Sequence, residues 1–247
     1  MPRAGAALSA CAISLGVNNG WRGSGRGRSV GPYSWDSGMS VVITVAQQKG
    51  GAGKTTLVAN LAAALAPGKR VAVMDIDPQH SLARWYAIRV ARSVPASALT
   101  FSDLSGWRLA AELDRLRREH DVVLIDSPPQ IDSDSRRAIR GADVVLIPIQ
   151  PSPPDLWAAE GTLKLAREEK RPACVVLNRV PAAGKLRDSM AGALAGLGLA
   201  PLAASLGNRT AYAQAFAEGL GVTEASPRSV AAAEVRALVT ALMAAVG

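Results

Sequence analysis

Ten consecutive residues, 47–56 (QQKGGAGKTT), bring two lysines, three glycines and two threonines together directly behind the apolar run at 41–46. An apolar strand, a glycine turn and a helix in that order make a cradle for phosphate. Gly50, Gly51 and Gly53, with Ala52 between them, let backbone N–H groups turn inward. A helix beginning near Lys54 adds the positive end of its dipole. In such a loop Lys54 reaches the β- and γ-phosphates of a nucleotide and the Thr55 hydroxyl ligates Mg²⁺. Thr56 falls nearer the α-phosphate. The run departs from G-x-x-x-x-G-K-[ST] at its first position, where Gln48 replaces glycine. A second cation, Lys49, follows at once.

Carboxylates downstream fit the same chemistry. DVVLID at 121–126 sets Asp126 at the carboxyl end of a strand, where an acid holds Mg²⁺ through water. VMDIDPQ sets Asp75 and Asp77 at the end of a neighbouring strand. Asp75 lies on the strand and reads as structural; Asp77 opens a loop and is the better catalytic candidate. His80 and His120 are isolated and form no metal set. The two cysteines, Cys11 and Cys174, are far apart, which excludes a disulfide framework and fits a reducing cytosol.

These residues need a scaffold that gathers strand ends on one edge. Strands are expected at 41–46, 70–74, 121–126, 142–149 and 173–178, and helices at 54–66, 81–90, 107–120 and 226–246. The strand runs lack polar alternation, as parallel strands covered on both faces do. The class is α/β: a P-loop NTPase with a central, mostly parallel sheet flanked by helices. Residues 39–247 form that domain. Residues 1–38 are rich in glycine and arginine and have no period. They read as a disordered leader, or as sequence upstream of a true start at Met39. The chain carries a net charge of +8, of which residues outside this leader hold +5. Such an excess suits a polyanionic partner. No apolar run reaches the roughly 18 residues of a membrane span.

KGGAGKTT, DIDPQ and IDSPP together resemble the deviant Walker A family of ATPases, which includes ParA and MinD. PIQPSPPDLWAAEG at 148–161 and NRTAYAQAFAEGLGVTE at 208–224 look like short ParA proteins of the ParF/McdA kind. The likeness spans about 40–246. It implies a homodimer with two ATP molecules and their Mg²⁺ sandwiched between the subunits. Lys49 would cross to the other subunit's nucleotide, where a mobile ammonium suits the charge on a transferring phosphoryl group. Asp77 would position or activate the attacking water, Asp126 would begin a switch loop, and Asn178 would contact adenine. It further implies slow ATP hydrolysis stimulated by a ParB-like or other small partner. The ATP-bound dimer would bind DNA without sequence preference, placing a cytoplasmic protein on the nucleoid.

Candidate DNA contacts are Lys185, Arg187, Arg209, Arg228 and Arg236; each is also compatible with a solvated surface. Arg136, Arg137 and Arg140 could face DNA or a partner but read by default as an exposed helix face, and Tyr212 and Phe216 read as helix packing. Trp157 suits either the core or a partner surface. The alternative reading is a MinD-like membrane-cycling ATPase, which needs a basic amphipathic C-terminus. The final stretch ALVTALMAAVG has no lysine or arginine. A cluster-carrying relative would need more cysteines than the domain has.

Overall fold

The structure is a computed structural model that describes residues 40–92, 99–130, 132–182, 186–196 and 200–246. The leader at 1–38 lies outside them. Seven strands form one sheet: β1 (Val41–Val45), β2 (Val71–Asp75), β3 (Leu99–Ser102), β4 (Val122–Asp126), β5 (Val144–Ile149), β6 (Ala173–Val180) and β7 (Pro201–Gly207). Their order is β3-β2-β4-β1-β5-β6-β7, and every pairing is parallel. The expected α/β architecture is therefore present.

Helices cover both faces, which is why the strands read as unbroken apolar runs. The helices are α1 (Lys54–Leu65), α2 (Ser81–Ala91), α3 (Leu109–Glu119), α4 (Ser133–Gly141), α5 (Pro153–Glu168), α6 (Leu186–Gly196), α7 (Thr210–Ala217), α8 (Val222–Ala225) and α9 (Val230–Val246). Alternate residues of β1 feed two separate cores. Ile43 and Val45 join Leu57 and Leu61 of α1 and Leu238 and Leu242 of α9. Val42 joins Leu113 of α3, Ile139 of α4 and Leu163 of α5. Each such aliphatic side chain, once buried, contributes about 1.5–3 kcal/mol.

Local chemistry sets the helix starts. Asp132 caps α4 by accepting the Ser135 N–H at 2.7 Å. Ser152 caps α5, with Pro153 in the first turn. The helix expected from 107 begins at Leu109, because Gly106 takes φ +66° and Trp107 falls in a separate 3₁₀ turn. There its ring is 84% exposed. The helix expected from 226 begins at Val230, after the turn at Pro227; the Ser229 hydroxyl accepts the Ala232 N–H. β3 and β7 carry no strand signal of their own. One is a four-residue edge strand, and the other is built of small residues on the opposite edge.

A buried arginine ties α2 to the turn before α8. Arg89 is 1% exposed, donates to both carboxylate oxygens of Glu224 at 2.8 and 2.6 Å and to the Gly219 carbonyl at 3.2 Å, and lies over the Trp85 ring. Removing the acid strands a buried cation. Glu224→Ala is expected to cost about 3 kcal/mol, the low end for a broken buried pair because Glu224 keeps some solvent contact. Urea unfolding of the variant against the parent measures it.

Candidate nucleotide-binding site

The chain leaves β1 toward β2 and leaves the adjacent β4 toward β5, in opposite directions, which opens a crevice beyond their carboxyl ends. The register brings the site residues level. Val45 pairs with Asp126 on β4, and Asp126 pairs with Asp75 on β2. Gly50, Gly51, Gly53, Lys54, Thr55, Thr56 and Asp77 line one cavity of about 250 Å³. The sequence-predicted phosphate residues thus meet in one place, with Ala52 fully buried behind them.

Gly53 is fixed by two constraints. Its φ is +91°, a left-handed conformation that side chains disfavour, and a Cβ there would stand 2.5 Å from Asn178 Nδ2. No side chain caps α1 at this residue, so its first-turn N–H groups are left to an anion. Lys54 is buried, with its Nζ donating to the Gln47 carbonyl at 3.1 Å. Burial lowers its pKa, while the facing charges of Asp126 and Asp77 work against that shift. The Gln47 carbonyl holds the ammonium, and the two acids attract it through space without a salt bridge.

Asp126 is the least satisfied group in the site. Neither carboxylate oxygen has a hydrogen-bond partner, and both are buried. Burial raises its pKa to about 8, although the Thr55 hydroxyl is near enough to pull it down. A magnesium ion held by Thr55 and reached by Asp126 through water would supply what those oxygens lack. The residues therefore fit such an ion as a companion of phosphate. Among the described residues no set of three His, Cys, Asp or Glu side chains forms a protein-only metal cage. Asp75 is structural, as expected: it accepts the N–H groups of Asp77 and Ala83 at 3.1 and 2.9 Å. Asp77 caps its own loop through the Gln79 N–H at 2.9 Å and faces the cavity.

The β5–α5 segment clasps the start of the loop, a role the sequence did not disclose. Gln47 Nε2 donates to the carbonyls of Pro148 and Asp155 at 3.3 and 3.4 Å. Gln150 Nε2 donates to the Gly51 carbonyl at 2.8 Å. The Gln48 amide lies on Gly161 so closely that a Cβ there would be 2.1 Å from Nε2. Loss of the first loop glycine thus has a structural counterpart: Gln48 packs against α5 where that helix has no side chain. Lys49 does not line the phosphate cavity; its Nζ pairs with Asp155, whose side chain is fully buried.

Asn178 braces the loop from β6. Its Nδ2 donates to the Ala52 carbonyl at 2.8 Å and its Oδ1 accepts the Arg179 N–H. With Thr56, Arg179 and Asn208 it also lines an adjoining cavity of about 280 Å³, on the side where a nucleoside would follow its phosphates. Tyr212 bonds Glu234 and Phe216 stacks on Trp85, which is helix packing as expected. Arg136 and Arg140 pair with Glu169, and Arg137 with Asp134. Arg209 is taken up by Glu234, whereas Arg228 and Arg236 are exposed. Lys185 and the Arg187 side chain lie outside the described residues. Trp157 is exposed. Asp126→Asn is expected to stabilise the nucleotide-free protein by about 1–3 kcal/mol, by neutralising a buried unpaired acid. The same change is expected to abolish Mg²⁺-dependent hydrolysis. Thermal melts of the nucleotide-free protein check the first effect, and phosphate release with MgATP checks the second.

Residues 43–222 match the family described as the CobQ/CobB/MinD/ParA nucleotide binding domain. The maintenance of carboxysome distribution protein A of Halothiobacillus neapolitanus is 30% identical over 204 residues, 80% of this chain and 94% of that protein. The chromosome-partitioning ATPase Soj of Thermus thermophilus is 34% identical over 149 residues, 50% of this chain and 59% of Soj. Among solved structures, an ATP complex of a Cyanothece McdA variant superposes with TM-score 0.67 at 18% identity, covering 83% of this chain and 96% of that one. MinD with Mg-ADP from Pyrococcus horikoshii gives 0.66 at 18%, covering 81% and 95%. These two show the shared fold. By the family match and by the relative matched over nearly its full length, the chain belongs to the ParA/MinD family of P-loop nucleotide-binding proteins.

Proposed function

We propose that this chain is a ParA-type positioning ATPase. Two copies sandwich two Mg²⁺–ATP units, the loaded dimer binds DNA non-specifically, and a separate partner protein stimulates slow hydrolysis and release. The observation that carries this reading is the division of labour between two lysines. Lys54 is buried at the floor of its own phosphate cavity, while Lys49 lies outside that cavity on the rim. A cation placed there is available to a second subunit's nucleotide. Lys49, Lys54 and Asp77 are the proposed catalytic groups, with Asp77 holding the attacking water and Asn178 facing the nucleoside. The relatives named for carboxysome distribution and chromosome partitioning support a cargo-positioning role.

A membrane-cycling role has less support. The last turns of α9 bury Leu238, Val239, Leu242 and Met243 against the core, and no basic residue stands in its final turn. No helix among the described residues is long and apolar enough to cross a membrane. For DNA, Arg228 and Arg236 are the favoured contacts. Both are exposed, and Arg236 donates to the carbonyl of Pro227 beside Arg228.

Lys49→Ala is expected to keep ATP binding but lose hydrolysis and weaken dimerisation; unchanged turnover contradicts the cross-subunit role. In gel shifts with MgATP, Arg228→Ala with Arg236→Ala is expected to weaken DNA binding for all sequences alike. The salt slope should fall by about two units per subunit, so by about four for the dimer, roughly one for each lost phosphate contact. A dimer that binds no DNA at low salt contradicts that part of the reading.

A further inference from the structure

The acid that holds Lys49 is itself unusual. Asp155 is fully buried, yet it carries a charge-bearing group against a lysine that is 38% exposed. It has other support. The Ser152 hydroxyl donates to Oδ2, and the Gln150 N–H approaches Oδ1 at 3.4 Å. It also stands in the first turn of the 16-residue α5, where the helix dipole favours a negative charge. These groups stay in place when the lysine leaves. The carboxylate is therefore not stranded by its departure, as a buried acid with a single cationic partner would be.

The backbone around Lys49 is built for movement of one side chain. On one side Gln48 is pinned: its N–H donates to Gln47 Oε1 at 2.8 Å and its amide rests on Gly161. On the other side Gly50 and Gly51 have no heavy atoms within 4 Å of where a Cβ would sit. The lysine stem can swing from this anchored point without disturbing the phosphate cradle, which Lys54 and Asn178 hold separately.

We propose that Asp155 is a positioning residue that stores Lys49 within its own subunit and so sets the threshold for dimerisation. In the isolated subunit the ion pair holds the ammonium at α5. Dimer formation has to break that pair before Lys49 can reach the partner's nucleotide, and the opposing free energy keeps subunits apart until both carry triphosphate. The inference rests on the sandwich reading of Lys49 above.

The test compares wild type with Asp155→Asn by sedimentation, using Mg²⁺ and a non-hydrolysable ATP analogue. The variant is expected to dimerise about ten- to a hundredfold more tightly, because two partly buried ion pairs break per dimer and each contributes about three- to tenfold. Its affinity for the analogue as a monomer is expected to stay unchanged. Wild type that dimerises while Asp155→Asn dimerises no more tightly overturns the storage role alone. Wild type that stays monomeric overturns the sandwich reading and the storage role with it. A second measurement needs no dimer. In urea unfolding of the nucleotide-free protein, Lys49→Met and Asp155→Asn should be non-additive, with three- to tenfold coupling in the unfolding equilibrium. Additivity overturns the proposal. Should Asp155→Asn fail to fold, Asp155→Ser serves the same two comparisons.

Discussion

A phosphate loop has to leave its backbone N–H groups bare for an anion and still keep its shape before the anion arrives. Everything functional in this chain depends on how that conflict is resolved. The answer is a clasp from outside the loop. Gln47 and Gln150 bond across between β1's end and the β5–α5 segment, Asn178 holds Ala52 from β6, and Lys54 closes the loop on the Gln47 carbonyl. Each such bond contributes only about 1 kcal/mol net. Together they fix a ring of amides that would otherwise collapse onto itself.

That clasp also explains why the family signature can discard a glycine and add a cation. With Gln48 laid on Gly161, the loop's first residue no longer has to turn tightly, and its side chain becomes a strut to α5. The strut aims the next residue, Lys49, outward. Two lysines five positions apart thereby reach opposite places: Lys54 goes inward among Asp77 and Asp126, and Lys49 goes to the rim and Asp155. In the proposed dimer, a symmetric pair of chains facing one another through such rims would give each cradle a charge that it lacks alone. Under the proposed function a nucleotide cycle would thereby become an association cycle, which suits the binding and release of a large polyanion.

Much of this is legible in the sequence, and the limits are physical. The apolar runs of β1, β2, β4, β5 and β6 announce a buried parallel sheet, and the strand-end acids announce its active edge. Asp126, Asp77 and the loop residues could be named because each lies within a few residues of a strand end. Asp155, Gln150 and Gly161 could not. They come to Lys49, Gly51 and Gln48 across about a hundred residues of chain, and locally Asp155 reads as an ordinary first-turn acid behind the Ser152 cap. β3 and β7 stayed silent because edge strands of small or few residues carry no period. The start of α3 was placed two residues early, since Gly106 at positive φ puts Trp107 and Arg108 in a separate 3₁₀ turn.

The proposed cycle depends on which subunit Lys49 serves, and mixing two inactive variants answers that directly. Lys49→Ala and Asp77→Ala chains, each devoid of turnover alone, are combined with MgATP. If the lysine acts across the interface, a mixed dimer contains one intact site, because the Lys49→Ala subunit keeps its own Asp77 and receives Lys49 from its partner. Hydrolysis then returns on mixing. If the mixture stays as inactive as its components while mixed dimers form, Lys49 does not act across the interface, and the central claim is wrong.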